Sequence, residues 1–183
     1  PPGISVCCKL KVENVFEFTP ENVAQFITES NEAWRVIEYV CGHGDLEVLK
    51  WLISTFKMPF SDVSLVRKDL SSMLQRCCAN NQLEVAKWLV SSFAITANEA
   101  REGGNGPLRV ACENGHLKVA QWLTTQFGLT HDDAITSDNY ALRTACLHKH
   151  LDVVKWLVTQ FHLTLDDARA DNETYTRIQQ TLA

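Results

Sequence analysis

Four stretches of this chain carry nearly the same phrase: LEVLKWL at 46–52, LEVAKWL at 83–89, LKVAQWL at 117–123 and LDVVKWL at 151–157. Trp51, Trp88, Trp122 and Trp156 fall 37, 34 and 34 residues apart, and Cys41, Cys78, Cys112 and Cys146 keep the same intervals. A period of that length means one supersecondary unit stacked on copies of itself. Each copy can bury its apolar face only against its neighbours, so the chain is expected to form an elongated array. An array of this kind offers a partner an extended surface, and a binding protein is the default reading.

The third copy, Ile95 to Phe127, shows the unit most clearly. Leu117, Ala120, Leu123 and Phe127 recur at steps of three, three and four, with Val119 and Trp122 on an adjoining stripe. That is the period of a helix apolar over a wide arc, which needs neighbours on several sides. The recurrence of the tryptophans in one register predicts that they are packed in the core between adjacent long helices. Upstream, Leu108, Ala111 and Cys112 predict a shorter helix whose small residues allow close approach, broken at Gly115 before the long helix begins.

Between units a second phrase recurs: Thr96-Ala97-Asn98-Glu99-Ala100, Thr130-His131-Asp132-Asp133-Ala134 and Thr164-Leu165-Asp166-Asp167-Ala168. A threonine followed three residues later by a carboxylate is a helix start, because each side chain satisfies a free amide at the other's position. A short third helical turn is therefore expected here, with Ser61 opening the corresponding element after Trp51. The last copy stops after Thr164 to Ala183, a half-unit with Arg177 in the place of Arg143 and Arg109. Residues 1–30 fit the repeat poorly and are expected to form a divergent N-terminal cap or a degenerate repeat, with the array occupying 31–183. The chain opens Pro1-Pro2-Gly3 without methionine, so a fragment or a processed product is expected.

Apolar residues make up 45% of the chain and charged residues 21%, enough for a continuous core and far from disorder. No apolar run reaches the length of a membrane span, and no signal-peptide pattern opens the chain. The net charge of −5, without clusters of Lys and Arg, argues against a general nucleic-acid binder. The register cysteines lie on the inside of a helix, and stacked repeats about 10 Å apart hold equivalent positions too far apart for a disulfide. Together with Cys77, Cys7 and Cys8 they give an odd count of thiols, which points to a reducing, intracellular, cytoplasmic setting.

The stretch GGNGPLRVACENGHLKVAQWL at 103–123 resembles the ankyrin repeat: Pro107, Leu108, Ala111, Gly115, His116, Leu117, Val119 and Leu123 occupy matching places. In the fourth copy Ala141, Leu142, Ala145, His150, Leu151, Val153, Val154 and Leu157 match, while Lys149 replaces the glycine. Arg109 and Arg143 stand where the family has His, Cys112 and Cys146 stand at its second Ala, and the unit is one residue longer than the family's 33. The Trp and the following Phe also lie outside the usual pattern. The resemblance covers roughly residues 31–183 and implies an all-α, helical-repeat solenoid of about four ankyrin-like units. It implies a non-catalytic, intracellular module that binds another protein, with no cofactor, no nucleic acid and no membrane, acting as a monomer. A rival reading makes these repeats a regulatory or targeting segment of a larger enzyme or nucleic-acid-associated protein.

Several residues invite sharper chemistry. Cys112 and His116, with Cys146, His148 and His150, suggest zinc, but each cysteine belongs to a helix core and the second copy has Gln82 where the third has His116. A Cys-His nucleophile would need an exposed, electropositive thiolate, which a core position does not provide. Gly103-Gly104-Asn105-Gly106 lacks the Lys of a phosphate loop and reads as a flexible tip. Arg109, Arg143 and Arg177 could grip an acidic ligand, but pairing with Asp138, Asp171 or Glu102 to hold repeats in register is favoured. No catalytic or metal-ligating set is assigned. The expected binding residues are those that differ between copies just after the register cysteine: Gly42 and His43, Ala79 and Asn80, Glu113 and Asn114, Leu147 and His148. In proteins similar to this one that edge lines a concave groove together with loop tips, here Glu102, Asn105, Ser137 and Tyr140.

Overall fold

The computed structural model describes residues 32–55, 63–164 and 176. The divergent cap expected over 1–30, the element at Ser61, and Asp171 and Arg177 of the terminal half-unit lie outside the described residues. Helices α1 (Glu32–His43), α2 (Leu46–Thr55), α3 (Val63–Ala79), α4 (Leu83–Phe93), α5 (Ala97–Glu113), α6 (Leu117–Phe127), α7 (His131–Ala134), α8 (Thr136–Leu147) and α9 (Leu151–Phe161) follow one another with no strand among the described residues. The all-α solenoid is thus present. Each unit pairs an inner helix (α1, α3, the second half of α5, α8) with an outer one (α2, α4, α6, α9).

The packing follows side-chain size. Inner helices carry Cys41, Cys77, Cys78, Ala111, Cys112, Ala145 and Cys146, all buried, so successive inner helices lie in extensive contact. Outer helices carry a tryptophan each and successive ones touch far less. A row spaced closely on one side and widely on the other must curve, with the inner helices on the concave side.

The capping phrases form helical turns. Glu99 accepts from the Thr96 amide at 2.7 Å while its own amide donates to the Thr96 hydroxyl. Asp133 accepts from the Thr130 amide at 2.8 Å. Helix α5 is then interrupted: Gly103, Gly104 and Asn105 all have left-handed backbone before a second helical run that starts around Pro107. Ser137, Asp138 and Asn139 repeat that turn in the next unit. Glycine adopts this conformation freely, whereas Ser and Asp do so at a cost of roughly 1–2 kcal/mol each. The two turns stack, since a methyl group on Gly104 would stand 2.7 Å from the Ser137 hydroxyl.

One expectation fails. The tryptophans are half-buried, and the sealed positions of the outer helices are Val85 and Leu89, Val119 and Leu123, and Val153 and Leu157. Each Trp stands at the edge of the apolar arc, where among the described residues the outer row has no further layer to cover it. Instead Trp88, Trp122 and Trp156 lean edge-on against the phenylalanine five residues later, with ring centroids 5.8, 6.2 and 5.5 Å apart for Trp88–Phe93, Trp122–Phe127 and Trp156–Phe161. Leu123→Ala is therefore expected to cost about 3–5 kcal/mol in urea unfolding and Trp122→Ala about 1–3 kcal/mol. The reverse order would place the indole, not the leucine, at the centre of the core.

A polar clasp joins the third unit to the fourth. Arg101 donates from Nε and a terminal nitrogen to the two Asp133 carboxylate oxygens at 2.8 and 3.2 Å, and also to the carbonyl of Gly128 at the end of α6. Burial would raise the Asp133 carboxyl, but the Arg101 guanidinium and the Thr130 amide and hydroxyl outweigh it and hold it below the ordinary carboxylate range. A depressed carboxyl stabilises the fold above its unfolded pKa of about 4, and that contribution disappears as pH falls through the lower folded value. Melting curves should show Asp133→Asn less stable than the parent at pH 7, with the gap narrowing below about pH 4. A gap that stays constant down to about pH 2 would remove Asp133 from the acid transition.

Candidate protein-binding surface

The inner row also connects unit to unit through one recurrent side chain. Gln82 donates to the Gly42 carbonyl at 3.4 Å, and His116, at the same register one unit later, bonds the Ala79 carbonyl at 3.0 Å through Nε2. Both reach the end of the preceding inner helix, where carbonyls lack helical partners. Side chains of this register also lie over the turn glycine of the preceding unit: a Cβ on Gly44 would meet Gln82 at 2.0 Å, and one on Gly115 would meet the ring of His150, the next residue in the register, at 2.5 Å. His116 therefore serves as an N–H donor between repeats, a task that Gln can also perform.

The variable pairs after the register cysteine divide into two kinds. Asn80 and Asn114 turn their side-chain amides back onto Arg76 and Val110 carbonyls at 2.9 and 2.8 Å, and His43 Nδ1 lies 2.8 Å from the Tyr39 carbonyl. These three finish their own helices, so local hydrogen bonding constrains positions that looked free in the sequence. His148 is exposed and lies beside the His150 ring, 6.1 Å between centroids. Gly42 and Ala79 are half-buried, and Gly42 packs beside the Arg76 stem.

The first members of the later pairs behave differently. Glu113, half-buried on α5, accepts a hydrogen bond from the Tyr140 hydroxyl on α8 at 3.2 Å. The Arg109 guanidinium stacks over the Tyr140 ring, 4.1 Å from its centroid, and donates to the Gly103 carbonyl at 3.0 Å. Arg109, Glu113 and Tyr140 thus form one cluster across two units. Beside it Arg143 bonds the Asp138 carboxylate at 2.9 Å, so this predicted pair exists, but it ties a left-handed turn to its own helix and not one repeat to the next. Leu147, in the register of Glu113, is 73% exposed. Glu102 and Ser137 are exposed on the flanking turns.

Asn105 requires correction. It is 3% exposed, and its amide donates to the Asp133 carbonyl at 3.1 Å and the Thr136 hydroxyl at 3.2 Å. The Gly103–Gly106 stretch is a packed turn: Asn105 fixes it to the next unit, and a Cβ on Gly106 would stand 2.7 Å from Gln75. The cation–π stack of Arg109 on Tyr140 was not legible in sequence, since a separation of 31 residues carries no angular information.

Burial pushes the Cys146 thiol up to about 11 and the Cys78 and Cys112 thiols higher still, so all three are protonated at neutral pH. Cys112 and His116 therefore lack the thiolate of a nucleophilic pair. Among the described residues no group of three or more His, Cys, Asp and Glu is placed to hold a metal ion.

A family profile described as ankyrin repeats (3 copies) matches residues 36–134, more than half of the 183-residue chain. Neither the curated proteins nor the solved structures contain a match to the chain. The bond from His116 to the Ala79 carbonyl predicts that His116→Gln melts within a few degrees of the parent, whereas His116→Ala loses about 1–3 kcal/mol because that carbonyl is left without its donor. Equal destabilisation by both substitutions would show that ring packing, and not the hydrogen bond, is what the position supplies.

Proposed function

Since the chain belongs to the ankyrin-repeat family, we propose that it is a scaffold that binds a partner protein through its concave row of inner helices. Ankyrin repeats are generally protein–protein interaction modules and typically non-catalytic. One observation supports placing the site on this face: Arg109, Tyr140 and Glu113 form an ordered polar cluster, and Leu147, one unit on in the register of Glu113, leaves its side chain exposed. Arginine and tyrosine are the residue types that anchor interfaces, and a large apolar side chain provides desolvation at the centre of a contact. The proposed surface comprises Glu113, Tyr140, Leu147 and His148, with Glu102 and Ser137 at its rim. Gly42, His43, Ala79, Asn80 and Asn114 extend it toward the first units through their backbone and capping groups.

The proposal includes an intracellular, cytoplasmic setting, in which the buried thiols stay reduced. No helix among the described residues is long and apolar enough to cross a membrane.

Affinity capture with the chain as bait, followed by mass spectrometry, identifies the partner, and titration calorimetry then tests the surface. Leu147→Asp combined with His148→Ala is expected to weaken binding at least tenfold, about 1.4 kcal/mol, at an unchanged melting temperature. Full affinity in that variant, with loss instead on changing Lys118 and Gln121 of the outer helix α6, would move the site to the convex face.

A further inference from the structure

The register argument that separates Cys41, Cys78, Cys112 and Cys146 does not apply to Cys77. That residue occupies the position held by Val40, Ala111 and Ala145 in the other units, and it is the extra thiol of the array. In α3 it faces α1, and its sulfur donates to the Cys41 carbonyl at 3.5 Å. Both residues are fully buried, at 0% exposure, in the seam between the first and second inner helices. At the other seams alanine stands in this register, so among the described residues the first seam alone sets a cysteine here against the register cysteine of the preceding unit.

We propose that Cys41 and Cys77 are a disulfide-forming pair that covalently links the first two units when the protein meets hydrogen peroxide. The chemistry needs no other reactant. One thiol, deprotonated, attacks the peroxide; its sulfur gains a hydroxyl group as a sulfenic acid, and the O–O bond breaks to release hydroxide, which takes up the proton lost from the thiol to give water. The second thiol then attacks the sulfenic sulfur, forming the S–S bond and expelling a second water. Two electrons pass from the two sulfurs to the peroxide. Hydrogen bonding to Cys41, burial and the neighbouring sulfurs all disfavour the Cys77 thiolate, so in the closed array the pair is inert. Reaction requires transient separation of the first unit, and in repeat arrays units open locally with far less free energy than the whole fold. Once formed, the bond closes a loop of 36 residues and holds α1 against α3. The inference does not depend on the identity of any partner.

The test treats the whole chain with hydrogen peroxide under native conditions, alkylates remaining thiols in denaturant, and maps unreduced tryptic peptides by mass spectrometry. The peptide carrying Cys41 should appear joined to the one carrying both Cys77 and Cys78, with loss of two hydrogens. In Cys78→Ala the link should persist. In Cys77→Ala, where alanine is the residue of the third and fourth units, the fold should be kept by circular dichroism and the link lost. The oxidised parent should also melt higher than the reduced one, a difference abolished by dithiothreitol. A link that survives Cys77→Ala, a Cys77 bond to Cys7 or Cys8, or recovery of Cys41 and Cys77 as free or over-oxidised thiols would overturn the assignment.

Discussion

The close approach of successive inner helices is the constraint on which the rest of the structure depends. Alanine and cysteine at Cys41, Cys77, Cys78, Ala111, Cys112, Ala145 and Cys146 leave so little between backbones that the inner row packs as one continuous seam, sealed from solvent. The bulk of each unit is displaced to the outer row, where tryptophan and phenylalanine occupy more space than the inner spacing would allow. Curvature follows from that mismatch. So does the half-burial of the tryptophans, because among the described residues nothing lies beyond the outer row to cover them. Sulfur suits this seam in a way that larger apolar side chains do not, as cysteine is nearly as small as alanine yet makes more dispersion contacts.

Stacking alone does not fix how one unit is rotated on the next, and directional bonds complete that task. Gln82 and His116 tie each new outer helix start to the carbonyl end of the previous inner helix. Arg101 and Asp133 join the linker turns, and His131 reaches the Phe161 carbonyl at 2.7 Å at the far end of the fourth unit. Most of these bonds satisfy helix-terminal carbonyls, which would otherwise be left without partners in a partly buried setting. The departures from the ankyrin pattern gain a physical account in the same way. Arg109 and Arg143, in the place of the family's histidine, donate to carbonyls of the left-handed turns that precede their helices.

The same residues that hold units together also shape the concave face. Tyr140 is both the platform for Arg109 and the donor to Glu113, so the cluster is pre-organised before any partner arrives, and a preformed surface loses less side-chain entropy on binding. Leu147 makes no comparable contribution to the fold and remains largely in solvent. An exposed large apolar side chain distinguishes the fourth unit from the second, where Ala79 stands in the register of Leu147.

The sequence by itself determined the period, the pairing of two helices in each unit, the capping turns at Thr96 and Thr130, and the burial of the register cysteines. These features are written in spacing, because a helix with a 3.6-residue period displays its buried face as a pattern along the chain. Periodicity identifies equivalent residues without saying what lies opposite them. The half-burial of Trp122, the enclosure of Asn105, the left-handed path of Ser137 to Asn139, the stack of Arg109 on Tyr140 and the approach of Cys77 to Cys41 were decided only by the tertiary structure. Each depends on the distance and rotation between neighbouring units, which packing of the small-residue seam sets and no single repeat encodes.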